Sequence, residues 1–261
     1  MDEKRTYALI TGGSSGIGLA LAHEFASRGH DIALVSLANT GQENAITDLT
    51  KLYNVNVKSL EINLLDKDAI HNVVRWVKVE NMTIQALVNN AGMGYAGKFE
   101  DLNEGFISTL LDLNIKVTTL LTHALIPELK QHTKSYILNL SSAAAFYSMP
   151  YKSIYAGSKR FVLDFSMALN EELKSHNIGV TAVCPAGVIT NEAQKDRIKD
   201  AGWLAKKSAL TPEQVAKAAV NAMLKKKSYV IPGVLASIMG AARYIVPASF
   251  QRKLIAKNFR E

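Results

Sequence analysis

Short β-branched runs alternate along this chain with longer segments of helical spacing, and that alternation limits the fold more than any other feature. The runs are TYALIT (6–11), DIALVS (31–36), NVKSLEIN (56–63), IQALVNN (84–90), SYILNLS (135–141), IGVTAVC (178–184) and SYVIP (228–232). Between them lie Ile17–Arg28, Asp66–Val79, Glu104–Gln131, Ser153–Ser175 and Pro212–Lys225. Strands that alternate with helices build right-handed βαβ units, so the pattern predicts an α/β fold: a doubly wound parallel sheet with helices on both faces. Several runs are nearly continuous in apolar residues, as strands covered on both faces should be. In such a sheet a ligand belongs at the carboxyl ends of the strands. Chemical motifs are therefore expected just after strands.

The 261 residues contain no repeat, low-complexity segment or linker. They read as one domain, with a catalytic body over 1–232 and a helical extension over 233–261. The single cysteine, Cys184, excludes an intrachain disulfide and fits a reducing compartment. The N-terminal residues lack an apolar stretch long enough for a secretory signal, and no run reaches the roughly 18 apolar residues of a spanning helix. A cytoplasmic protein is expected. Its formal charge of +7 is compatible with nucleic acid on that number alone, but a solvated cationic surface explains it equally, and no nucleic-acid partner is assigned. The six histidines are scattered, so no metal is assigned.

The motifs do fall after strands. TGGSSGIG, Thr11 to Gly18, separates the first strand from the first helix. Glycines there permit a tight turn and let the backbone approach a pyrophosphate at the positive end of a helix. A plain βα turn would ordinarily need one. Gly12, Gly16 and Gly18 are spaced GxxxGxG, and with Thr11 they resemble the TGxxxGxG motif of the short-chain dehydrogenases/reductases, a Rossmann-type family. NNAG, Asn89 to Gly92, resembles that family's sheet-stabilising motif beside the adenine ribose. Tyr155 and Lys159, four apart in YAGSK, project from one face of a helix. They match the family's catalytic pair, Ser142 its catalytic serine, and Asn114 its helix asparagine. The neighbouring Ser141 is the lesser candidate for the serine.

The resemblance implies carbonyl reduction or its reverse. A free tyrosine has a pKa near 10, too high for efficient proton transfer at neutral pH, and a lysine ammonium beside it favours the phenolate. Lys159 is expected to lower the Tyr155 pKa and to bind the nicotinamide ribose. Ser142 is expected to stabilise the substrate oxygen, and Asn114 to hold a proton-relay water. Tyr147 and Tyr151 lack a lysine four residues on; they either line the substrate mouth or pack locally.

For the dinucleotide the resemblance implicates Thr11, Gly12, Ser14, Ser15, Gly16, Ile17 and Gly18, then Ser36 and Asn39, Asn63 and Leu64, and Asn90, Ala91 and Gly92. Tyr155, Lys159, Pro185, Gly187, Val188 and Thr190 complete the set. Ser36 stands where an NAD-binding relative carries an acid, so nothing there repels a 2′-phosphate and NADP(H) is preferred. Ser15 and Leu37, however, are not the arginines common at those places. Asn63 replaces a frequent aspartate beside adenine, and its side-chain oxygen could accept the same bond.

Past CPAGVITNE, residues 191–210 correspond to the substrate lid of relatives, with Lys195, Arg197, Lys199, Trp203, Lys206 and Lys207. The last thirty residues are apolar from Val234 to Ile245. They end with Arg252, Lys253, Lys257 and Arg260 interleaved with Leu254, Ile255 and Phe259. This basic amphipathic segment either lies in a membrane interface or packs on the domain or another subunit. Relatives with such extensions suggest a hydrophobic, lipid-like, acyl or steroid-like carbonyl and a homodimer or homotetramer. The rival readings are a dinucleotide sensor without turnover, a basic scaffold, an NAD-linked dehydrogenase, and an epimerase or dehydratase on the same fold.

Overall fold

A computed structural model describes residues 5–190, 209–233 and 248–257. The strands are β1 (Tyr7–Thr11), β2 (Asp31–Ser36), β3 (Val57–Glu61), β4 (Ile84–Asn89), β5 (Ser135–Leu140), β6 (Ile178–Val183) and β7 (Tyr229–Val230). They form one parallel sheet in the order β3-β2-β1-β4-β5-β6-β7. β1, β2, β5 and β6 are buried along their whole length. β3, at one edge, is only half buried, which is why its run mixes lysine, serine and glutamate with apolar residues. The winding reverses between β1 and β4, so the loops that leave these two strands open a crevice at their carboxyl ends.

The helices are α1 (Gly16–Ala26), α2 (Gln42–Leu52), α3 (Ala69–Val79), α4 (Glu104–Leu111), α5 (Thr118–Leu129), α6 (Ser153–Glu172), α7 (Pro212–Leu224) and α8 (Ala248–Lys257). Successive strand residues point to opposite faces, so β1 feeds two cores. Ala8 and Ile10 pack with Leu21 and Phe25 of α1, Leu49 of α2 and Val220 of α7. Leu9 packs on the other face with Val73 of α3, Leu121 and Leu125 of α5 and Leu169 of α6. α7 starts where its sequence dictates: the Thr211 hydroxyl accepts from the Gln214 N–H, the Gln214 side chain answers the Thr211 N–H, and Pro212 occupies the first turn.

Three features differ from the reading of the sequence. The helix α2 was not singled out; it begins at the left-handed Gly41 without a side-chain cap, so its start signal is weak. The single helix expected over 104–131 is interrupted by a π-helical stretch, Asp112–Val117. The last strand keeps only two of its five expected residues. Of the extension, Ala248–Lys257 forms α8; positions 234–247 and 258–261 lie outside the described residues.

Candidate active site

The glycine loop is built so that backbone alone fits. Gly12 and Gly16 have φ of 62° and 53°, in the left-handed region that favours glycine. A Cβ on Gly18 would lie 2.0 Å from the Gly12 carbonyl oxygen, so only glycine lets α1 start that close to the loop. The NNAG segment bolts onto the same loop. Thr11 Oγ1 accepts from the Asn90 and Ala91 N–H groups at 3.0 Å each, and Asn90 Nδ2 donates to the carbonyls of Thr11 and Gly12 at 2.9 and 3.0 Å. Thr190 Cγ2 lies 3.4 Å from where a Gly16 Cβ would sit, which brings the segment after β6 to the same mouth. Ser15, the N-cap of α1, makes no side-chain capping bond, so the first N–H groups of that helix stay available to a phosphate.

The adenosine end is set by β2. The Ser36 hydroxyl is buried without a hydrogen-bond partner among the described residues, as is the side-chain oxygen of Gln42. Ser14 Oγ and Thr40 Oγ1 are 2.8 Å apart, and Asn39 is exposed with φ 60°. A cradle that excludes side chains, an uncapped helix start and an orphan hydroxyl are what a dinucleotide would complete, so the residues present fit one. Asn63 is differently employed: its oxygen accepts from the Leu65 N–H at 3.1 Å and its nitrogen donates to Asp66 at 3.0 Å. It closes its own turn, and Leu64 is buried in the core.

The catalytic candidates converge from β5, the π-helical stretch and α6. Ser142 leaves β5 in extended conformation, accepts from the Ala144 N–H and is hydrogen-bonded to the Tyr155 phenol. Lys159 is 7% exposed, and its ammonium donates to the Leu140 carbonyl at 2.8 Å. A Cβ on Gly92 would lie 2.9 Å from Asn114 Oδ1 and 3.3 Å from Lys159 Nζ, so the glycine of NNAG leaves these groups facing one space. Asn114 donates to the Met93 carbonyl at 2.9 Å and to Ser158 Oγ at 3.0 Å, and accepts from the Met93 N–H at 2.9 Å. Its side-chain donors are thus spent on holding the β4 loop to α6. The π-helical stretch that presents it is a feature frequent at functional sites.

The electrostatics depart from expectation. Burial pushes the Tyr155 phenol above its ordinary value, opposed by the hydrogen bond from Ser142. The Lys159 ammonium makes its hydrogen bond to the Leu140 carbonyl, and burial sets the direction for Tyr155. Burial lowers Lys159 itself to about 8, partly offset by nearby Cys184.

Several residues hold this site by bonds that were not foreseen from the sequence, although Ser141 and Asn89 fall within its motifs. Ser141 donates to the Lys159 carbonyl at 2.7 Å. Asn89 donates to Thr122 and Asn139, and Asn139 to Ser166 on α6. These bonds fix the height of α6 against β4 and β5. Their one visible signal is polar side chains inside otherwise apolar strands. Pro185 and Gly187 lie at the end of β6, where the Pro185 carbonyl accepts from Ala143 and the Gly187 carbonyl from Leu210, and Val188 bridges Leu210. The expected lid lies outside the described residues except for positions 209 and 210.

The sequence profile of the family described as short chain dehydrogenase matches residues 6–201. This chain is a short-chain dehydrogenase. It is similar to the very-long-chain 3-oxoacyl-CoA reductase of Mus musculus, 31% identical over 254 residues, which are 95% of this chain and 78% of that protein. Among solved structures it resembles a short-chain dehydrogenase from Sphingobium yanoikuyae in complex with NADPH, with TM-score 0.78, 30% identity and coverage of 96% and 95%. It also resembles the bulky-bulky ketone specific alcohol dehydrogenase of Comamonas testosteroni, with TM-score 0.77, 28% identity and coverage of 93% and 94%. As a short-chain dehydrogenase it is an oxidoreductase of carbonyl and CH–OH groups that uses a nicotinamide dinucleotide, on the Rossmann-like sheet expected from its sequence. No described helix is long and apolar enough to cross a membrane.

Proposed function

We propose that this short-chain dehydrogenase is an NADP(H)-linked reductase of large apolar ketones, of the acyl or lipid-like class. The observation that carries the reading is the joining of Ser142, Tyr155 and buried Lys159 beside a glycine cradle whose β2 end holds an orphan serine instead of a carboxylate. A bound reduced nicotinamide supplies the hydride. The chain's own residues do the rest. Ser142 hydrogen-bonds the carbonyl oxygen as negative charge grows on it. Tyr155, kept protonated at neutral pH by burial, gives that oxygen its proton. Lys159, cationic below about 8, then stabilises the phenolate and binds the ribose. Asn114 fixes the β4 loop opposite and offers its oxygen toward the relay water. Similarity to a very-long-chain 3-oxoacyl-CoA reductase supports the substrate class.

The test is titration with NADPH and NADH followed by nucleotide fluorescence, then NADPH oxidation across short aliphatic, long aliphatic, acyl-thioester and steroid ketones. Tighter NADPH binding with turnover favouring long chains is expected. Tighter NADH binding would overturn the cofactor preference, and binding without turnover on any ketone would favour the sensor.

The same substrate class gives α8 a role. This helix carries Arg252, Lys253 and Lys257 with no acidic residue, and its Phe250 is 60% exposed. Cations beside an exposed aromatic suit an anionic lipid surface. The full chain is expected to sediment with vesicles of anionic phospholipid, and not with neutral ones, with an Arg252, Lys253, Lys257 triple glutamine variant staying in solution. Equal behaviour of variant and parent would remove the lipid role.

A further inference from the structure

The residue two positions ahead of α6 holds a backbone conformation that its side chain disfavours. Tyr151 has φ 62°. The other left-handed non-glycine residues among those described are Asn39, Asn81, Asn177 and Lys226; asparagine tolerates this region, whereas a bulky side chain there is an outlier. Such strain persists only where the surroundings over-determine it, and it clusters at functional sites.

The surroundings are specific. The Tyr151 carbonyl accepts from the Gly97 N–H at 2.7 Å. Gly97 belongs to an arch over residues 93–98 that is fixed along its length. Asn114 holds Met93 by both backbone groups. A Cβ on Gly94 would lie 3.7 Å from Tyr155 Cε2, so the arch runs against the catalytic ring. Tyr95 Oη donates to the Lys98 carbonyl at 2.8 Å, the Tyr95 ring covers Gly97 so closely that a Cβ there would sit 2.4 Å from its oxygen, and the same ring meets Phe106 edge-on. Tyr151 therefore closes the arch through its backbone carbonyl. Its phenol takes part in none of the hydrogen bonds among the described residues, and its side chain is half buried. Glycine or asparagine would make the same backbone bond with less strain, so that bond does not account for an aromatic ring there.

We propose that Tyr151 is a specificity-determining residue: with the 93–98 arch it forms the lip of the substrate cleft, and its ring receives the apolar chain on the far side of the reacting carbonyl. This rests on the reductase reading. The experiment compares parent, Tyr151→Gly, Tyr151→Asn and Tyr151→Phe by NADPH oxidation on 2-butanone and on 2-dodecanone, with thermal melts of each. Glycine and asparagine variants are expected to melt at or above the parent. Their ratio of kcat/KM for the long over the short ketone is expected to fall at least tenfold, while the phenylalanine variant keeps it within threefold. An unchanged ratio in the glycine and asparagine variants, whether or not both rates move together, overturns the role of the ring. Lower melting temperatures in both overturn the strain on which it rests. A parent that oxidises NADPH with neither ketone fails the reductase reading itself and takes the inference with it, a result distinct from an unchanged ratio.

Discussion

Tyr155→Phe is expected to lower kcat for ketone reduction by about a thousandfold or more, within the range that a positioned proton-transfer group supplies, while NADPH binds within about threefold of the parent. The geometry explains the separation. The phenylalanine ring keeps the contact beneath Gly94, so the wall of the cleft stays in place, and the loops that cradle the dinucleotide are held by Thr11 and Asn90, which the change does not touch. What disappears is the hydroxyl to which Ser142 is bonded. Because burial raises the phenol's pKa, the parent is fully protonated at neutral pH, and loss of rate in the variant cannot come from a changed protonation state. Single-turnover NADPH oxidation with parallel fluorescence titration is the measurement. Turnover within tenfold of the parent would show that another group delivers the proton, and would remove Tyr155 from the chemistry.

Much of this arrangement was legible because the motifs sit at strand ends, where backbone periodicity and topology leave little freedom. DIALVS marks β2 to the residue, and the glycine motif lies at the carboxyl end of β1, where a ligand was expected. What was not legible depends on who bonds whom. Asn114 could be assigned to a helix, but its attachment to Met93 and Ser158 depends on a π-helical turn that no propensity announces. Asn63 matched the family position for adenine, and what the match did not tell is that its oxygen also closes an Asx turn with the Leu65 N–H. α2 was not singled out because no capping side chain marks its start: the left-handed Gly41 precedes it, where a sequence-level start signal is a serine, threonine, aspartate or asparagine. The electrostatic expectation failed for a related reason. Spacing of four says that Tyr155 and Lys159 share a helix face, but not that the Leu140 carbonyl at the end of β5 takes the ammonium.

That carbonyl makes Lys159→Met the sharpest test of the site as a whole. An ammonium that is 7% exposed with a pKa lowered from 10.5 to about 8 is a burial penalty carried by the folded state. Below pH 8 both folded and unfolded chains hold the proton, and the penalty is present in full. Between about 8 and 10.5 the unfolded chain still holds a proton that the folded chain has shed, so this group makes stability rise with pH across that window. The gap corresponds to about 3 kcal/mol. Methionine fills similar space without charge, but it leaves the Leu140 carbonyl without its donor, a loss of about 1 kcal/mol. The variant is therefore expected to be more stable than the parent by about 2 kcal/mol at pH 7, to lose that advantage before pH 10 and be less stable by about 1 kcal/mol at pH 10.5, and to lose about a hundredfold or more in kcat. Urea unfolding at pH 7 and pH 10, with NADPH oxidation on the same preparations, reads both effects. A variant less stable than the parent at pH 7 would mean that Lys159 is a structural cation bound to β5. Gain of stability with loss of rate would mean that the fold tolerates an unfavourable buried charge because the phenolate of Tyr155 needs it during turnover.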